Sequence, residues 1–325
     1  MRGVSTPNQR SDQVVLEANP DYWDKSRPPR LKRLIFDNTL EQKDAVELVK
    51  TTDGRVDLVT ELNPLETLHV AQSPFAKVVK NRGGLVTVFG LFNMRQAGGP
   101  WHDARLRRAM NYAINRQDFI RNAAKGNGVI IPALVPVQGF GYDPDLKPYP
   151  FHPAKARDLL REAGYAECLS ITLIAPQALT VQATVVSKML EQVGVTVDLQ
   201  VLGPVAFNRK THLSNLGQPP EQQPWDIALT SSTPDLINFP MYMIYHSLAL
   251  GGPWDWVLEQ PALRQLYEQV LGTVERDRQQ VLIRQMEWAH ARTGVFPFPV
   301  QPREALCREQ GGGVRALCQH RSYPG

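Results

Sequence analysis

Cysteine is scarce in this chain, at three residues in 325: Cys168, Cys307 and Cys318. No Cys-x-x-Cys pair exists, which excludes a zinc ribbon and a thioredoxin-like motif. Cys307 and Cys318 could pair in an oxidising compartment, but nothing in their spacing shows it, and isolated thiols are the simpler reading. Long apolar runs are also missing. None approaches the ~20 residues that a membrane-spanning helix needs. The amino-terminal stretch MRGVSTPNQRSDQVV has no apolar core, so no signal peptide is visible. Read by itself, that stretch predicts a chain that stays in the cytoplasm. A strong excess of one charge is absent too, with 36 basic residues against 32 acidic ones and a net charge of +4. That balance does not point to nucleic acid, whose binders concentrate Lys and Arg on one face.

Catalytic and metal signatures are equally absent. There is no HExxH, no GxSxG and no Walker A loop. The seven histidines stand at 69, 102, 152, 212, 246, 290 and 320. No two are four apart, as a helical metal site would have them. No metal and no cofactor is expected.

The sequence does contain a globular composition, with 42% hydrophobic and 21% charged residues, and 26 prolines suited to many short elements joined by turns. Residues 1–12 read as polar and loose. DQVVLEA (12–18) reads as a strand, NPDYWD (19–24) as a turn, and LKRLIFDNT (31–39) as a strand. EQKDAVELVKTTDG (41–54) reads as a helix with Gly54 as a left-handed cap, and RVDLVTEL (55–62) as a strand. That order makes a βαβ unit. Gly83 and Gly84 then break the chain. GLVTVFGLFNM (84–94) is a buried strand by its β-branched, apolar content.

Two helices follow. Asp103 is expected to cap the first and Asn115 the second. Arg105, Arg107, Arg108 and Arg116 form a basic cluster, read as a solvated helix face. A long irregular segment, 130–153, precedes HPAKARDLLREAGY (152–165), a helix with Pro153 near its start. LSITLIAP, VQATVVSKMLEQVGV and TVDLQVL give a second βαβ unit. WDIALT (225–230) is a strand leading into the loop SSTPDLINFP. Residues 262–294 offer two amphipathic helices, and VFPFPV a closing strand. From Gln301 onward the periodicity is lost.

Several of these segments, in this order, resemble one family. They are LEANPDYW (16–23), FNMRQAGGPWHDARLRRAMNYAINR (92–116), HPAKARDLLREAGY and the turn VGV (193–195). Together they are similar to the peptide/nickel solute-binding proteins of ABC transporters, solute-binding family 5, over roughly 14–300. Asn115 and His152 stand where the family usually has Asp; both still suit a helix cap.

The resemblance implies an α/β, periplasmic-binding-protein-like architecture of the type II, peptide-binding class. It implies two lobes that close by a hinge on a ligand. On it, residues 1–83 are a partial first lobe, 84–298 the second, ligand-binding lobe, and 299–325 an irregular tail. The first lobe is incomplete and no leader is seen, so a truncated product, a gene fragment or a mis-called start is expected. Apolar surface left bare by the missing part predicts poor solubility or a partner chain.

The implied function is extracytoplasmic binding of a peptide or other small solute for membrane permease subunits, with no bond made or broken. The full-length protein would be periplasmic or at the cell surface. In peptide-binding relatives an Asp after a strand, in a segment like GWTGD, holds the α-amino group. Asp235 is the matching residue; otherwise it makes an Asx turn after Pro234. A buried ammonium needs such a carboxylate. Ser232, Thr233, Tyr242, Tyr245, His246 and Asn93 complete the candidate site, Asn93 otherwise being a turn residue. Dipeptide binders also use an Arg for the ligand carboxylate, and residues 175–178 offer none, so oligopeptides, opines and nickel complexes stay open. Two other readings remain: a hydrolase using Ser, Asp and His of the 230–246 loop, and a non-functional remnant.

Overall fold

The computed structural model describes residues 2–3, 12–51, 54–60, 62, 64–81, 86–137, 139–166, 168–231, 251–258, 260–294, 300–302, 304–309 and 316–317. The chain divides into two compact units, 1–83 with 303–325, and 84–302.

The first unit holds a seven-stranded sheet. Its strands are β1 (Arg2–Gly3), β2 (Gln13–Glu17), β3 (Arg33–Asp37), β4 (Leu58–Val59), β5 (Ala76–Asn81), β12 (Glu304–Glu309) and β13 (Ala316–Leu317). The sheet order is β1-β2-β3-β13-β4-β12-β5. Helices α1 (Gln42–Val49) and α2 (Pro64–Ala71) belong to this unit. Val46, Val49, Val59, Val70 and Ala76 form its small core.

Several expectations are corrected in this unit. Residues 1–12 are not wholly loose, because Arg2 and Gly3 pair with Glu17 and Leu16. The first helix ends at Val49, not near Gly54. Thr51 turns its hydroxyl onto the carbonyl of Leu48, satisfying a helix-end acceptor with a side chain. Gly54 does have a positive φ of 66°, but in the loop beyond. The βαβ unit is interrupted: β13 lies between β3 and β4, parallel to both. The residues expected to be an irregular tail therefore supply strands. Strand β12 pairs with β5 from Glu304↔Asn81 to Glu309↔Ala76. A strand completed by distant partners needs no periodicity of its own. Helix α2 and strand β5 were not legible in advance.

The second unit is built on a six-stranded mixed sheet. Its strands are β6 (Val88–Phe92), β7 (Gly128–Ile130), β8 (Leu169–Pro176), β9 (Val195–Leu202), β10 (Ile227–Ser231) and β11 (Val300–Pro302), in the order β7-β11-β6-β10-β8-β9. β8 runs parallel to β9 in continuous register and parallel to β10. β6 is antiparallel to β10 and β11. Every residue of β6 is buried, as its apolar run predicts.

Helices α3 (Ala104–Ala113), α4 (Arg116–Ala123), α5 (Pro153–Glu162), α6 (Thr180–Glu191), α7 (Pro204–Thr211), α8 (Pro261–Leu271) and α9 (Arg276–Thr293) cover the sheet. The caps sit where the sequence puts them. Asp103 accepts from the amide of Arg105, Asn115 from that of Asp118, and His152 from that of Lys155. Gly294 ends α9 at φ 62°. Trp101, Trp225 and Trp256 lie wholly inside.

The solvated basic face is only half right. Arg105 is exposed, but Arg107 and Arg116 are buried. Arg107 donates to the carbonyls of Trp101, His102 and Thr293. Arg116 donates to the carbonyls of Asn111 and Tyr149 and to the Asn111 Oδ1. A guanidinium's fan of donors lets one side chain close several open backbone acceptors. Burial pulls Arg116 down to about 10.

The long irregular segment is a strap laid along α9. Val135 donates its amide to Glu287, Trp288 donates to Asp143, and the Tyr149 hydroxyl donates to the carbonyl of Ala291. Gly141, at φ 96°, passes so close that a Cβ there would clash with the Ile283 Cγ2.

Candidate functional site

Pairing register defines the two ends of the second unit's sheet. Ile227 pairs with Phe92 at one end and Ser231 with Val88 at the other. β8 and β9 run the same way as β10, so their carboxyl ends, Pro176 and Leu202, lie at the Ser231 end. β11 pairs Val300 with Val88 and continues outward to Pro302. β6 therefore begins, and β11 ends, at this same end. Ligands in open α/β sheets bind at the carboxyl ends of the parallel strands. Helices α6 and α7 begin here, neither with a side-chain cap hydrogen bond. Val181 and Val205 in their first turns are half-exposed.

The candidate loop starts at this end. Ser231 is the last residue of β10. Ser232, Thr233, Asp235, Tyr242, Tyr245 and His246 lie outside the described residues. The Ser-Asp-His set of the hydrolase reading lies there too.

Asn93 is described, at the opposite end of the sheet, and is fully buried. Its Nδ2 donates to the carbonyls of Gln223 and Trp225 at 3.3 and 3.0 Å, and its Oδ1 accepts from the amide of Arg95. Its own amide donates to the carbonyl of Asp226. The side chain is thereby committed to the backbone around β10.

Sequence reasoning missed the rest of this polar frame. Asp226 Oδ2 accepts from the amide of Thr172 at 2.8 Å, and Oδ1 from the indole of Trp101 at 3.2 Å. Burial raises the Asp226 carboxyl, while those two donors pull it back. Gln96 donates to the carbonyl of Gln223. Arg95 pairs with Asp255 at 2.5 Å, and Asp255 also accepts from the amide of Gly251. The signal available beforehand was the Trp225–Asp226 dipeptide opening an apolar strand, since a carboxylate beside a buried strand needs donors.

Among the described residues no group of three His, Cys, Asp or Glu is placed to hold a metal ion. No described helix is long and apolar enough to cross a membrane.

The model of bacterial extracellular solute-binding proteins, family 5 Middle, matches residues 6–252, and the chain belongs to that family. The dipeptide-binding protein of Pseudomonas aeruginosa (strain PAO1) is 29% identical over 167 residues, 51% of this chain and 30% of that protein. Among solved structures, the ABC transporter substrate-binding protein CtaP of Listeria monocytogenes superposes with a TM-score of 0.80 at 19% identity, over 95% of this chain and 60% of that one. The periplasmic binding protein DppA of Helicobacter pylori, in complex with the peptide STSA, gives 0.74 at 18%, over 95% and 59%. The fold is that of the type II periplasmic peptide-binding proteins. The chain spans about three-fifths of these solved relatives' length.

Proposed function

We propose that this chain is the solute-capturing part of an ABC transporter's binding protein and takes peptides or related small solutes without covalent chemistry. The observation that carries the reading is the family match over 6–252. The geometry supports it: β10 ends at the carboxyl end of the parallel strands, where ligands of open α/β sheets bind. A relative named for dipeptides and a neighbour holding STSA favour a peptide. Asp235 is the residue assigned to the ligand's ammonium, with Ser232 and Thr233 beside it and Tyr242, Tyr245 and His246 as lining. Asn93 is assigned to the frame rather than to the ligand, because its amide is already spent on two carbonyls. In the whole protein, closure of two lobes by a hinge presents the loaded form to the permease subunits outside the cytoplasm.

Titration calorimetry with a free dipeptide and its N-acetylated form tests this. Charge-assisted hydrogen bonds contribute roughly 1.5–3 kcal/mol. Asp235→Asn should therefore weaken the free dipeptide by roughly 10- to 100-fold and leave the acetylated one unchanged. Equal affinity of both proteins for both ligands would remove Asp235 from the site. Ester or amide turnover that disappears in Ser232→Ala would replace binding with hydrolysis.

A further inference from the structure

The connection between β2 and β3 runs through DYWDKSRPPRLKR (21–33). Its second part holds five cations and no acid: Lys25, Arg27, Arg30, Lys32 and Arg33. All five are exposed. The acids of the same hairpin are Glu17, which pairs across from Arg33, and Asp21 and Asp24 in the turn. Asp24 is engaged locally, by the Ser26 hydroxyl and by Arg27 at 3.8 Å. Trp23 stands within this segment with 82% of its surface exposed, its ring centroid 5.6 Å from that of the half-buried Tyr22. The loop holds its shape through local bonds. Ala18 donates its amide to the Lys32 carbonyl at 2.8 Å and closes the base. Asn19 Oδ1 accepts the amide of Asp21, and Asp24 Oδ1 that of Ser26, each at 3.0 Å. Such Asx turns set the chain direction, and Pro28 and Pro29 fix two more backbone angles.

A large aromatic ring left in water calls for a partner, and five neighbouring cations say that the partner is anionic. Tryptophan favours the headgroup layer of a bilayer, where its apolar body and its polar N–H are both satisfied. Lys and Arg are drawn to a surface of anionic lipid. A loop already fixed by its own turns pays little ordering entropy on docking. The loop itself offers neither a helix face nor a strand for a protein partner to pair with. One exposed ring is not the row of stacking platforms that single-stranded nucleic acid needs. We propose that the 19–33 loop docks on a bilayer surface bearing anionic phospholipid. Trp23 enters the headgroup layer, and the five cations meet the lipid phosphates. The inference rests on this loop and not on the ligand reading, so either stands if the other fails.

The test is co-sedimentation of the chain with vesicles of phosphatidylcholine alone and of phosphatidylcholine mixed equally with phosphatidylglycerol. The expected result is sedimentation with the mixed vesicles only, released at about 0.5 M salt, where charges are screened within a few ångströms. Arg27→Glu combined with Arg30→Glu should weaken it by at least about 10-fold, and Trp23→Ala should weaken it as well. Arg161→Glu, at an exposed cation of α5 in the other unit, should sediment like the unchanged chain. Circular dichroism matching the unchanged chain shows that each variant is folded. Four results overturn the inference: equal sedimentation with both kinds of vesicle, sedimentation with neither, a loss in Arg161→Glu as large as in the loop variants, or variants of the loop that bind unchanged. A self-associated chain that Trp23→Ala dissolves, seen by light scattering after size exclusion, also overturns it and makes a second copy the occupant.

Discussion

Asn93 illustrates how a residue can match a family pattern while its side chain is committed to the protein's own backbone. Its amide donates to two carbonyls and accepts one amide, all in the interior. Asn93→Ala leaves those carbonyls without a donor, at about 1–3 kcal/mol. Urea denaturation of the second unit should show that loss, with ligand affinity per folded molecule unchanged. Gly141 is the other single point of leverage. Its positive φ, and an Ile283 side chain that a Cβ there would run into, leave no room for a methyl group. Gly141→Ala should cost more than the ~1 kcal/mol of a strained φ alone, read in a thermal melt.

Two buried groups on α9 carry opposite pH dependences. Burial pushes Glu287 from 4.5 up to about 7, against the pull of the Val135 and Leu134 amides. Its native form prefers the proton, so stability falls as pH rises from 4.5 to about 7. Burial pulls His290 from 6.5 down to about 4. Its native form prefers to be neutral, so stability falls as pH drops from 6.5 to about 4. Between 4.5 and 6.5 the two slopes oppose. Glu287→Gln removes the first, and the variant's melting temperature should climb from pH 4 to 6.5 and then level off. A variant profile that still declines from pH 6.5 to 7 would contradict the assignment.

At the level of elements, the local signals were legible where chemistry is local. Asp103, Asn115 and His152 cap the helices that they precede, because an N-cap is decided within about three residues. Asn115→Ala should therefore cost α4 about 1 kcal/mol, read by chemical denaturation. β6, β8, β9 and β10 were legible from apolar, β-branched runs. What was not legible depends on distant partners. β12 and β13 exist through β3, β4 and β5, more than two hundred residues earlier in the chain. Arg107 and Arg116 looked like a solvated face, because the carbonyls that bury them come from Thr293 and Tyr149. Of the candidate site, only the strand that delivers the loop and the frame behind it are in the described residues. Asp226 was missed because its donors, Thr172 and Trp101, lie on other elements.

At the scale of the whole molecule, the second unit carries its own core of three buried tryptophans and a fully buried central strand. The first unit has a small core. Ligand binding adds stability to the native form by mass action, about 2.7 kcal/mol at a hundredfold excess over Kd. The most direct measurement is a thermal melt of the chain with and without a pool of di- and tripeptides, followed by tryptophan fluorescence. Solute binding predicts a saturable rise in melting temperature, moved to roughly 10- to 100-fold higher peptide concentration in Asp235→Asn for peptides with a free amine, with the peptides recovered intact. A cooperative melt that no peptide moves, or peptides recovered cleaved, would contradict it.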